Sequence, residues 1–350
     1  MHFVTDKAFL DQSSGLMEHA AAPVVVHTIV AGKLRRYKDI PLYKQLLHWP
    51  TVWRNVVDVG KVVVGIVQSL WLLLHTRPDV VFAKGGYVSL PVGIAARMLR
   101  IPLVLHDSDA RPGLTNRMLA RFATHIATGA PLEYYPSYKG RPLTYVGVPI
   151  DSAYHRFTEE EQRVAKQSIG VSPTRPLVVV TGGGLGARDI NAAMVSIAPE
   201  LLQQGISVYH VTGKAHAEAI RKIIASHPDY QVVPFVYKNM AQVLGAADVV
   251  VSRASATFLQ EIAALAKPCI VVPSSSLGDQ MKNAESLRES AAAVVLSDER
   301  LSDDPTVLLG AIVKITTNTA LRAELADRIA ARAKPDAARD TAKILIKAKK

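Results

Sequence analysis

The chain has 350 residues, 49% hydrophobic and 20% charged, a composition that excludes intrinsic disorder and a length that suits two domains of about 150 residues each. Its one cysteine, Cys269 in the apolar run Cys-Ile-Val-Val, excludes an intramolecular disulfide, fits a reducing compartment and reads as a core residue. The net charge of +11 is uneven, with 18 Lys and Arg against 10 Asp and Glu in residues 1–157 and 23 against 20 in residues 158–350, so the front half is expected to face something anionic.

In chain order, Met1-His2-Phe3-Val4-Thr5 reads as a strand and not as a signal peptide. Between residues 33 and 61, Lys33, Arg35, Arg36, Lys38, Lys44, Arg54 and Lys61 interleave with Tyr37, Tyr43, Trp49 and Trp53. Basic residues beside aromatics and aliphatics suit a bilayer interface carrying anionic lipids. They form no polar stripe, so nucleic acid is not expected as a partner despite a pI near 9.6. Residues 56–74 are mostly apolar, but Asp58 and Lys61 interrupt them, which favours an amphipathic helix over a membrane span. A core helix with a solvated basic face is the competing reading.

Short β-branched runs then alternate with helical patterns. Strands are expected at Val24–Val30, Val80–Ala83, Leu103–His106, His125–Thr128 and Thr144–Val146, and again at Leu177–Thr181, Ser207–Val211, Gln231–Pro234, Val249–Ser252, Cys269–Pro273 and Ala293–Leu296. Two doubly wound, Rossmann-like domains follow, an α/β architecture. The boundary is placed at Gly147-Val148-Pro149-Ile150, ahead of a helix over 158–169, giving domains 1–149 and 150–334. The tail, 335–350, restarts a helix expected to pack back on the first domain.

In residues 177–191, Leu-Val-Val-Val-Thr-Gly-Gly-Gly-Leu-Gly-Ala-Arg-Asp-Ile-Asn, a strand runs through four glycines into a helix. Glycines let the backbone approach an anion closely, and the N–H groups and dipole at the helix start attract it. The pattern is also compatible with a plain chain reversal, or with a dinucleotide oxidoreductase through Gly182-X-Gly184-X-X-Ala187. The latter lacks an acidic residue at the end of Ser207–Val211, where ribose recognition would lie.

Four segments together resemble the MurG family: Gly85-Gly86-Tyr87-Val88-Ser89-Leu90-Pro91, His106-Asp107-Ser108-Asp109-Ala110 through Asn116-Arg117, the glycine turn through Asn191, and Ser252-Arg253 through Glu261 to Gln280 and Asn283. The resemblance covers nearly the whole chain. It implies a GT-B glycosyltransferase of two Rossmann-like domains with a cleft between them. The implied reaction is inverting transfer of N-acetylglucosamine from UDP-N-acetylglucosamine to a polyprenyl-diphosphate-linked N-acetylmuramyl peptide, at the cytoplasmic membrane face, in peptidoglycan assembly. No metal or other cofactor is implied.

On the donor side, Gly182, Gly183, Gly184 and Gly186 would cradle the diphosphate and Glu261 would accept the ribose hydroxyls. Asn191 and Arg253 match family positions, the latter equally compatible with an internal salt bridge. Gln280 and Asn283 match sugar-contacting positions, and Val236 the position whose backbone reads the uracil edge. On the acceptor side the matches are Tyr87, His106, Asp107, Asp109 and Asn116. His106 is the candidate catalytic base, because the family's opening strand and Gly-Gly-X-Gly-Gly-His loop, which holds the usual one, have no counterpart here. That departure is expected to leave exposed sheet edges, and a misplaced translation start is its preferred explanation. Two further departures stand out. Asp107 and Asp109 replace the family's Glu and Asn, and Asp151 stands where the family has an arginine against the donor diphosphate. A non-catalytic or partner-dependent UDP-sugar-binding half-enzyme is the alternative these departures motivate.

Overall fold

The computed structural model describes residues 1–10, 22–33, 49–183, 186–224 and 226–349. The basic and aromatic residues at positions 35–44 and Gly184 lie outside them. The described residues divide into two compact units, Met1–Asp107 with Pro112–Tyr145 and Asp340–Lys350, and Ser108–Arg111 with Val146–Arg339.

The first unit holds two parallel sheets. Strands β1 (His2–Thr5) and β2 (Val25–Thr28) pair with each other. A four-stranded sheet runs β3 (Val81–Ala83), β4 (Leu103–Asp107), β5 (His125–Thr128), β6 (Leu143–Tyr145) in spatial order. Among the described residues, β1 and β3 each keep one edge without a ladder partner. Helix α1 (Trp49–Thr76) is 28 residues long and presents Asp58, Val62, Ser69, Leu72 and Leu73 to the interior. These positions recur at three- and four-residue spacing, as one helical face must. Its opposite face is apolar too: Val56, Val59, Val63, Val67, Trp71 and Leu74 are all exposed. Asn55–Thr76 is long and apolar enough to cross a membrane by length and composition, but its inward face packs in the core with α2 (Ser89–Met98) and β3. The packed inner face of the competing core-helix reading is thus present, but its solvated basic outer face is largely apolar, with Lys61 as an exposed cation. Helix α3 (Leu114–Leu119) follows β4.

In the second unit one sheet of six parallel strands is built from β7 (Leu177–Thr181), β8 (Ser207–Val211), β9 (Tyr230–Val233), β10 (Val249–Ser252), β11 (Cys269–Val271) and β12 (Val294–Val295). Its order is β12-β11-β10-β7-β8-β9, the doubly wound Rossmann arrangement with the topological switch between β7 and β10. Leu177, Val178, Val179 and Val180 have no exposed surface, nor have Val249, Val250 and Val251. Parallel strands covered on both faces read as unbroken β-branched runs for this reason. Helices α4 (Glu159–Ser168), α5 (Arg188–Gln203), α6 (Ala217–Ile224), α7 (Met240–Ala246), α8 (Ala256–Ala264) and α9 (Gly278–Glu289) alternate with the strands. Thr158 and Glu161 close a reciprocal capping box at the start of α4. Cys269 is fully buried, and burial pushes its thiol up to about 12, the behaviour of a core residue and not of a nucleophile. At the C-terminus, helices α10 (Asp298–Asp303), α11 (Thr306–Thr317) and α12 (Thr319–Ala330) pack together, and α13 (Ala337–Ala348) follows. In the first unit Lys349, just beyond α13, pairs with Asp79 at 3.0 Å.

Candidate functional site

At the switch point of the second unit, β7 delivers the glycine turn. Gly183 and Gly186 have φ of +81° and +79°, values that L side chains avoid. The Gly186 N–H donates to the Gly183 carbonyl at 3.0 Å, and a Cβ on Gly186 would sit 2.4 Å from the Thr212 carbonyl oxygen. At Gly182 the backbone is crowded instead: a Cβ would lie 2.2 Å from the Ala187 nitrogen. The turn hands the chain to α5, whose first turn carries Asp189. Arg253, just after β10, pairs with that Asp189 at 3.0 Å and donates to the Val272 carbonyl at 3.2 Å. The internal salt bridge open to it on sequence is thus present. Asn191 is 4% exposed; its Nδ2 donates to the Thr212 carbonyl at 2.9 Å and its Oδ1 lies 2.9 Å from His210 Nε2.

Glu261, on α8, is half-buried and hydrogen-bonds the Tyr154 hydroxyl, and burial raises its carboxyl to about 7. Gln280 Oε1 accepts the Ser274 N–H at 3.0 Å, bracing the loop after β11. Asn283, 6% exposed, is saturated. Its Oδ1 accepts from the Ala110 N–H at 2.8 Å, and its Nδ2 donates to Asp109 at 2.9 Å and to the Ala254 carbonyl at 2.9 Å. Asp109, expected with the acceptor residues, is thus brought to Asn283 within the second unit, and burial, the largest influence on it, raises its carboxyl. Val236 is half-buried against the core. Beside it, Lys214 Nζ stands 4.9 Å from the Tyr237 ring centroid and 5.7 Å from that of Phe235, a cation–π cluster. Asp151 accepts from the Ala153 N–H at 2.8 Å.

The first unit has its own pocket, lined by Gly32, Lys33, Gly85, Gly86, Tyr87, Thr115 and Asn116 among others. Gly85 has φ of +88°, and a Cβ there would press the Asn116 amide at 3.2 Å. Asn116 donates to the His106 carbonyl at 3.2 Å, while its buried Oδ1 has no hydrogen-bond partner among the described residues. Tyr87 donates to Asp6 at 2.5 Å, and desolvation together with that carboxylate pushes the phenol up to about 12. His106 has no exposed surface, so in this conformation its ring does not reach a ligand. Asp107 is buried and accepts from the Tyr138 hydroxyl at 2.6 Å.

Sequence reasoning missed Tyr154, Lys214 and Asp6. Lys214 carried a usable signal, since Gly213-Lys214 closes the carboxyl end of β8, where α/β sheets place ligands. Tyr154 and Asp6 carried none.

Comparisons with known proteins bear on both units. Residues 21–128 match the glycosyltransferase family 28 N-terminal domain and residues 177–341 the family 28 C-terminal domain. The UDP-N-acetylglucosamine--N-acetylmuramyl-(pentapeptide) pyrophosphoryl-undecaprenol N-acetylglucosamine transferase of Clostridium kluyveri is 33% identical over 83% of this chain and 76% of its own length. The protein of that name from Treponema pallidum is 36% identical over 77% of this chain and 68% of its own length. In fold, the crystal structure of Acinetobacter baumannii MurG aligns with a TM-score of 0.72 at 21% identity, over 98% of this chain and 90% of that one. With two Rossmann-like α/β units of the GT-B class and relatives at this identity, the chain belongs to the MurG family of glycosyltransferases.

Proposed function

We propose that this protein transfers N-acetylglucosamine from UDP-N-acetylglucosamine to an undecaprenyl-diphosphate-linked N-acetylmuramyl peptide, with inversion, as a hexosyltransferase of peptidoglycan synthesis. The observation that carries it is the glycine turn at the β7–β10 switch point of a chain one-third identical to transferases of that name. At that point the N–H groups of the turn and the start of α5 receive a diphosphate, and they stabilise the departing UDP as charge develops on it. Glu261, with a carboxyl near 7, accepts the ribose hydroxyls when ionised, and the backbone at Val236 reads the uracil edge. Arg253, already held by Asp189, keeps the start of α5 in place; Gln280 and Asn283 shape the loops that would meet the sugar.

The first-unit pocket supports acceptor binding. Lys33 brings positive charge to it, the Gly86 backbone lies open to an anion, and the Asn116 Oδ1 lacks a partner among the described residues, which a donor group on a ligand would supply. His106 is assigned to holding Asn116 through its carbonyl. The exposed valines, Trp71 and Leu74 of α1 are read as a peripheral contact with the cytoplasmic membrane face, where the anionic lipid-linked substrate resides. UDP release measured with both substrates and with each alone tests the reading. Release should require the pair; release with a different sugar nucleotide and none with this pair would refute it.

A further inference from the structure

Behind the glycine turn lies a buried polar chain that the functional reading above does not use. His210 sits in β8, paired on one side with Val180 of β7 and on the other with Val232 of β9, and it has no exposed surface. Its Nε2 is 2.9 Å from Asn191 Oδ1 and its Nδ1 is 2.9 Å from the Tyr230 hydroxyl. A carboxamide oxygen only accepts, so Nε2 carries the proton; in the neutral ring Nδ1 then accepts from Tyr230. Burial favours the neutral form, holding the imidazole down to about 4 and the Tyr230 phenol up. With its oxygen engaged, Asn191 can present only its NH2 group on the other side, and that group meets the Thr212 carbonyl at 2.9 Å. This is the carbonyl against which Gly186 packs without room for a Cβ.

From this juxtaposition we infer that His210 is a positioning residue for the glycine turn: the chain Tyr230–His210–Asn191–Thr212 fixes the surface on which Gly186 rests, and so the placement of the turn's N–H groups. A hydrophobic side chain at 210 would leave the buried Asn191 Oδ1 without its donor, so that the amide is held only by its bond to the Thr212 carbonyl. The inference rests on the donor reading of the turn only for its consequence in UDP binding, and the test separates the two.

The full chain is compared as wild type, His210→Leu, His210→Gln and Tyr230→Phe. Hydrogen exchange of the peptide over residues 181–191 is followed without ligand, UDP affinity by calorimetry, and KM and kcat by steady-state transfer. His210→Leu should speed exchange in that peptide, raise the UDP Kd and donor KM about tenfold and lower kcat as well, because the same N–H groups stabilise the departing UDP, with acceptor KM unchanged. His210→Gln, whose amide can donate to Asn191 and accept from Tyr230, should recover wild-type values to within about twofold. Tyr230→Phe should shift the same quantities in the same direction by less. Unchanged exchange in His210→Leu overturns the inference, and so does an equal loss in the Leu and Gln variants. Faster exchange in His210→Leu without a change in UDP affinity upholds the positioning role and overturns the donor reading instead.

Discussion

Alanine at three glycines of one turn separates two physical causes. Gly183 has φ of +81° and a Cβ there would meet none of the described residues; Gly186 has nearly the same φ but faces the Thr212 carbonyl oxygen at 2.4 Å; Gly182 has no left-handed backbone but would collide with Ala187 at 2.2 Å. Gly183→Ala therefore meets only the left-handed penalty, about 1 kcal/mol. Gly186→Ala adds to it a collision with main chain that cannot rotate away, for a total of about 3 kcal/mol. Gly182→Ala, through the collision alone, should cost about 2 kcal/mol. For a unit of this size each kcal/mol moves the melting temperature by about 2–4 °C, so the order 183, 182, 186 is readable in a thermal melt. UDP titration of the same variants should show near-normal affinity for Gly183→Ala and a loss of about tenfold for Gly186→Ala, whose turn must shift. A Gly186→Ala protein as stable and as tight as Gly183→Ala would refute the packing of the turn on Thr212.

Glu261 gives a pH prediction with two signs. Its carboxyl lies near 7 in the folded protein against about 4.3 when unfolded, so between those values the folded state binds the extra proton and stability falls as pH rises. Glu261→Gln should accordingly raise the melting temperature at pH 8 while weakening UDP binding about tenfold, and the rise in donor KM as pH drops through 7 should flatten in the variant. An Arg253→Ala change removes a bridge from a side chain only 12% exposed and strips the Val272 carbonyl of its donor. It should destabilise by about 1–3 kcal/mol, and a double-mutant cycle with Asp189→Asn reads the coupling. On α1, Val67→Asp and Trp71→Asp should each lower partitioning onto vesicles containing anionic lipid by about tenfold. Unchanged partitioning would remove the helix from the membrane contact.

The strands were legible because a parallel sheet sealed on both faces demands uninterrupted β-branched runs, as in Leu177–Thr181 and Val249–Ser252. The glycine turn was legible too, since strand, glycines and helix start are local in sequence. The orientation of α1 was not. Apolar residues occupy both faces, and the inward one includes Asp58 and Ser69 while Val63 and Val67 point outward, the reverse of what periodicity would select. Partners far apart in the chain were equally hidden. Asn283 and Gln280, one turn apart, match sugar-contacting positions, and what was not legible is that each also binds a backbone N–H, that of Ala110 lying 173 positions from Asn283. His106 and Asp107 follow a strand-end pattern that suggests access to ligand, while tertiary packing buries both and ties Asp107 to the Tyr135 and Tyr138 hydroxyls.

Sugar transfer between the two named substrates is read out directly in the lipid product. Its most direct test is incorporation of label from UDP-N-acetylglucosamine into extractable lipid when the chain is given a short-chain polyprenyl-diphosphate-linked N-acetylmuramyl peptide. Labelled lipid should form only when the acceptor is present, and more slowly in Gly186→Ala at subsaturating donor. UDP binding without any labelled lipid would contradict it and leave a UDP-sugar-binding protein that does not catalyse transfer.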